Sequence, residues 1–170
     1  SFRTKKSQHI DQVDDVTFTS GEDAIIAIKS SSALPVSLEV LRGNVTVSGN
    51  LITAKGPGPV KVRVTQSGND EYDVAPETIL DFCVTPPTPV ITVEINHDPF
   101  RLTLLSSMET NNQWFFNGSP VAGEIGSTYE PQTNGVFQLQ VDFDGCYSMS
   151  APTDFLYTAT EEHLSNSIKA

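Results

Sequence analysis

An all-β fold of sandwich or barrel type, divided into two domains, is what these 170 residues predict, and three observations predict it. Apolar residues alternate with polar ones at period two and hardly recur at helical spacing, the pattern of strands with one wet face. Turn-forming pairs punctuate the alternation at short intervals: Gly43-Asn44, Gly49-Asn50, Gly56-Pro57-Gly58, Gly68-Asn69-Asp70, Asn117-Gly118, Asn134-Gly135 and Asp144-Gly145. Between the two runs of strands lies CVTPPTPVI, residues 83–91, whose prolines favour an extended connector and exclude it from a central ladder.

The elements follow in order. Ala24–Ile28 opens the first run. Val36, Leu38 and Val40 then share one face of a strand, and Val45–Val47 follows after Gly43-Asn44. In GPVKVRVT, Val60, Val62 and Val64 point one way and Lys61, Arg63 and Thr65 the other. Ile79–Val84 closes the run. Beyond the prolines come Val90–Ile95, Phe100–Leu104, Gln113–Phe116 and Val136–Phe143. Phe2 precedes Ile10 by the same interval that separates Phe82 from Val90, so residues 1–7 are expected to be a connector from a preceding module.

Charge excludes several functions. The net charge is −11, and residues 86–170 hold 2 Lys/Arg against 10 Asp/Glu, so the basic footprint that nucleic acid needs is missing. An anionic membrane surface is disfavoured for the same reason, and no apolar run approaches the ~20 residues of a membrane span. His9, His97 and His163 show no metal-ligand spacing with each other or with the cysteines, and no nucleophile elbow, phosphate loop or dinucleotide fingerprint is present. No cofactor is expected. Two acidic clusters, Asp11/Asp14/Asp15 and Asp70/Glu71/Asp73, could offer oxygens to calcium, but neither follows the regular D-x-D-x-D-G spacing, and a solvated acidic face is the expectation.

SSSALPVSLEVLRGNVTVSGNLITAKGPGPVKVRVTQSGNDEY, residues 30–72, resembles the bacterial immunoglobulin-like repeats of large secreted and surface proteins, with Leu34-Pro35-Val36-Ser37, Val47-Ser48-Gly49-Asn50 and Gln66-Ser67-Gly68-Asn69 in the places of that family's motifs. Residues 86–158 resemble a second type of bacterial immunoglobulin-like module through Gln113, Trp114, Asn117, Gly118, Tyr129, Gly135, Gly145 and Cys146. Phe137 stands where that pattern usually has Tyr and brings no hydroxyl for a corner bond. TEEHLSNSIKA, residues 160–170, resembles the lead-in to the C-terminal sorting domain of bacterial type IX secretion substrates. The resemblance implies two immunoglobulin-like β-sandwich domains in tandem, at 8–85 and 86–158, with 159–170 as a linker toward a sorting domain.

NQWFFNG holds the chain's only tryptophan, and its rings are either a ligand platform or packing. Alternation puts Trp114 and Phe116 on one face and Gln113 and Phe115 on the other; sandwiches of this type commonly bury a Trp on the third strand. Trp114 and Phe116 are therefore assigned to a core with Phe137, Leu139 and Val141. Phe115 and Tyr147 are left as the candidate contact surface. Cys83 and Cys146 are placed where one end of a sandwich could bring them together, so a disulfide that clamps the module boundary is expected, with two buried free thiols as the alternative.

These readings imply a non-catalytic spacer, stalk or adhesion region of a secreted or cell-surface bacterial protein. Its partners would be neighbouring modules of the same chain, and an extracellular polysaccharide or surface protein. The alternative is a carbohydrate-binding accessory module of a secreted polysaccharide-degrading enzyme.

Overall fold

The computed structural model describes residues 4–11, 18–19, 25–97 and 100–155. Among these there is no helix, and the strands fall into four sheets, antiparallel except where β1 (Phe18–Thr19) runs parallel to β7 (Thr78–Thr85). The chain is all-β and consistent with a β-sandwich. Its described residues divide into two compact units, those up to 87 with 142–148, and those from 88 to 141 with 149–155. The hairpin tip 142–148 thus belongs with the first unit, although the sequence groups it with the strands around it.

In the first unit one sheet runs β1-β7-β6-β3, with β6 at Gly58–Thr65 and β3 at Ser37–Arg42; the other runs β2-β5-β4, at Ile25–Ala27, Leu51–Ala54 and Val45–Ser48. Strand β6 shows why: Val60, Val62 and Val64 are buried, while Lys61 and Arg63 alternate with them on the wet face. There Arg63 pairs with Glu39 at 2.6 Å and Glu77 at 3.2 Å, and Lys61 with Asp81 at 2.9 Å. Glu39 and Asp81 are the register partners of Arg63 and Lys61 on the flanking strands. The Glu39 carboxylate first, and then Glu77, hold the guanidinium above its ordinary pKa. Such exposed pairs stabilise little, and register follows from the buried valine face that they stand opposite. The valines pack with Ile10, Ile26, Ile28, Val36, Ile52, Ala75 and Val84 into the unit's core.

A sheet whose strands lie mostly in the second unit runs β11-β10-β13-β14 with β15 also on β13, at Ser119–Pro120, Asn112–Phe116, Gly135–Phe143, Cys146–Met149 and Thr153–Phe155; the end of β13 from Asp142 and β14 up to Ser148 count with the first unit. The other sheet runs β12-β9-β8, at Thr128–Tyr129, Phe100–Ser106 and Ile91–His97. The buried core is Leu104, Trp114, Phe137, Leu139 and Phe155. Asn117 and Gly118 both take positive φ, 48° and 81°, and form a two-residue loop that sets Phe116 opposite Ser119. This is the backbone that Asn-Gly favours in a tight hairpin.

Six strands lie outside the sequence expectation: β1, β5, β11, β12, β14 and β15. Four have two or three residues, too few to display a period, and the other two are short runs after a turn. One turn signal is also corrected. Gly135 is not at positive φ but begins β13, and a Cβ there would run into the Phe116 ring and lie 2.9 Å from Asn117 Oδ1. Its glycine serves close packing. Phe2, Asp14, Asp15, His163 and the 159–170 segment lie outside the described residues.

Candidate functional site

The five residues of β10 are bonded from end to end. Asn112 is buried; its Nδ2 donates to Met108 O at 3.0 Å and its Oδ1 accepts from Ser106 Oγ at 2.8 Å. Gln113 Nε2 donates to Val121 O at 2.8 Å and Trp114 O at 2.9 Å. Trp114 is wholly buried, and its indole Nε1 donates to Gly126 O at 2.9 Å, so the one polar atom of the ring is satisfied.

Four rings continue from the indole. Tyr129 stacks on Trp114 with centroids 5.7 Å apart, Phe137 lies 5.6 Å from Tyr129, and Phe116 and Phe155 lie 5.1 and 6.3 Å from Phe137. Leu139, the register partner of Trp114, is fully buried, as is Val141. Burial, and then the Glu124 carboxylate, push the Tyr129 phenol above its ordinary pKa. The tryptophan strand is thus a packing device, and its indole offers no face to a ligand.

Phe115 and Tyr147 sit differently. Phe115 is half-buried, with Pro120 and Gln138 as its Cα partners on the adjacent strands. Tyr147 is 54% exposed on β14 and belongs to the first unit, whereas Phe115 belongs to the second.

Cys83 and Cys146 form a disulfide with Cα atoms 5.5 Å apart, both cysteines lying in the first unit as the contacts divide it. Of the acidic residues weighed for calcium, Glu71 is paired with Lys6 Nζ at 2.6 Å, and its N–H donates to Asn69 Oδ1. Among the described residues no three His, Cys, Asp or Glu side chains come together.

Two features were not legible in the sequence. Gln8 and Gln66 are buried, and Gln8 Nε2 donates to Gln66 Oε1 and to Asp73 O while its Oε1 accepts from Ser32 Oγ. This network ties residues 6–11 to the first unit, with Lys6 bridging in parallel to Tyr72 and Ile10 antiparallel to Ser30. Nothing in the sequence marks the polar Gln8, just ahead of Ile10, for burial. The second feature is a half-open cleft of about 510 Å³ lined chiefly by Ile28, Ser30, Ala33, Leu34, Pro35 and Asn50. Ala33 takes φ 60°, which a non-glycine residue seldom adopts, and Ser30 Oγ is bonded to Leu34 O at 2.8 Å. The lining is more apolar than polar, with Lys29 among its residues, so the cleft could take a small apolar group. No family model, no curated protein and no solved structure matches the chain.

Proposed function

We propose that the chain is a pair of non-catalytic immunoglobulin-like modules, at 8–85 and 86–158, serving as spacer, stalk or adhesion region of a secreted or cell-surface bacterial protein. One observation carries this: the only tryptophan, the residue best suited to a ligand platform, is fully buried with its N–H bonded inside the second unit. The disulfide supports an oxidising compartment, since such bonds persist in exported proteins and are rare in reducing cytosol. The four sheets and their alternating burial support the sandwich class on which the immunoglobulin-like assignment rests.

The competing reading, a carbohydrate-binding accessory module, draws on exposed Tyr147 and half-buried Phe115. Retention of the 170-residue chain on a broad panel of insoluble and soluble polysaccharides separates the two. A spacer is not retained. Retention that Tyr147→Ala or Phe115→Ala abolishes, with the melting temperature unchanged, would replace the spacer by the sugar-binding module.

A further inference from the structure

Strand β8 is the edge of its sheet: it pairs with β9 and, among the described residues, with no strand on its other side. The ladder fixes which backbone groups face outward. Ser107 N–H donates to Val90 O, whereas Ser106 N–H donates to Ser127 O on the far side of β9. Inward bonding therefore alternates through Val90, Thr92, Glu94 and Asn96, and Ile91, Val93 and Ile95 turn their N–H and C=O groups away from β9.

The same residues carry the apolar side chains. Val93 and Ile95 are the register partners of Leu104 and Leu102 and share their face, yet they are 46% and 49% exposed, although Leu104 is wholly buried. Natural edges are usually blunted by charges, prolines or bulges. From Ile91 to Asn96 there is one acidic or basic side chain, Glu94, with His97 at the strand's end, and the strand has no proline and no shift of register.

We propose that β8 accepts an added strand from a partner protein: an extended segment with apolar residues at alternate positions and lysine or arginine between them. Main-chain bonds to Val93 and Ile95 would supply affinity, and the apolar positions would complete the uncovered face. Charge selects the occupant. Glu94 sits on the opposite face of β8, residues 86–170 hold 10 Asp/Glu against 2 Lys/Arg, and Arg101 is engaged with Glu130 at 3.6 Å. A second copy of this chain would bring the same negative surplus to the seam.

The probe is a synthetic peptide of alternating lysine and valine, titrated into the 170-residue chain by fluorescence anisotropy, with amide exchange followed by residue. Binding should slow exchange at Val93 and Ile95 by about tenfold or more. Val93→Pro should weaken binding by about tenfold without lowering the melting temperature, because β9 does not use that N–H. A peptide N-methylated on alternate valines tests the same bonds with the wild-type protein, should the proline variant fold poorly, and should also lose about tenfold. No binding, or equal binding of the methylated peptide without protection at Val93 and Ile95, would overturn the proposal as general attraction of cations to an acidic surface. Protection at those amides that grows with protein concentration in the absence of peptide would overturn it in favour of a second copy.

Discussion

Trp114 shows how much one side chain decides in a small domain. An aromatic ring that buries roughly 150–250 Å² stabilises by about 4–6 kcal/mol at ~25 cal/mol per Å², comparable to the whole net stability of many domains. Trp114→Ala should therefore cost about 3–5 kcal/mol and unfold the second unit at lower urea, read by far-ultraviolet circular dichroism. Gly135→Ala tests overpacking in place of a cavity. The new methyl would drive into the Phe116 ring, itself tilted against Phe137, and the expected loss is about 1–3 kcal/mol. Tyr129 adds a pH dependence. Its folded phenol is raised above 10.0, so the folded chain holds a proton that the unfolded chain releases. The stability from this group is complete below the unfolded value and declines as pH climbs above about 10. In Tyr129→Phe the alkaline fall of the urea midpoint should be shallower than in the wild type; an identical slope would show that this phenol is not a source of it.

At the scale of elements, register and crosslinks matter more than propensity. Strand β6 was legible because its faces differ in kind, with valines on one and cations on the other, and a slip of one residue would exchange them. β14 was not legible, because CYSM has no alternation and is placed by β13 beside it and by the Asp144-Gly145 turn, both at positive φ. The bond from Cys83 to Cys146 spans 63 residues of sequence, and on the chain-entropy model closing such a loop stabilises by about 4 kcal/mol. Replacing both cysteines by serine, or adding reductant, should lower the melting temperature by several degrees. An unchanged midpoint would mean that the crosslink is energetically silent.

For the molecule as a whole, net charge and the division into cores dominate. At −11 and a sequence pI near 4.5, self-repulsion opposes compaction at neutral pH, and added salt should raise the melting temperature modestly up to about 0.15 M as the Debye length shrinks toward ~8 Å. A fall over that range would show that exposed pairs such as Lys61–Asp81 outweigh the repulsion. Composition and period two determined the all-β class, most of the longer strands and the inward direction of Trp114, because side-chain alternation is a local property written directly in the chain. The disulfide between the chain's two cysteines was expected from the sequence and is present, whereas tertiary structure alone decided the burial of Gln8 and Gln66, the reason for glycine at 135 and the uncovered edge at β8. Each depends on which distant segment arrives alongside, and a local pattern carries no information about that arrival.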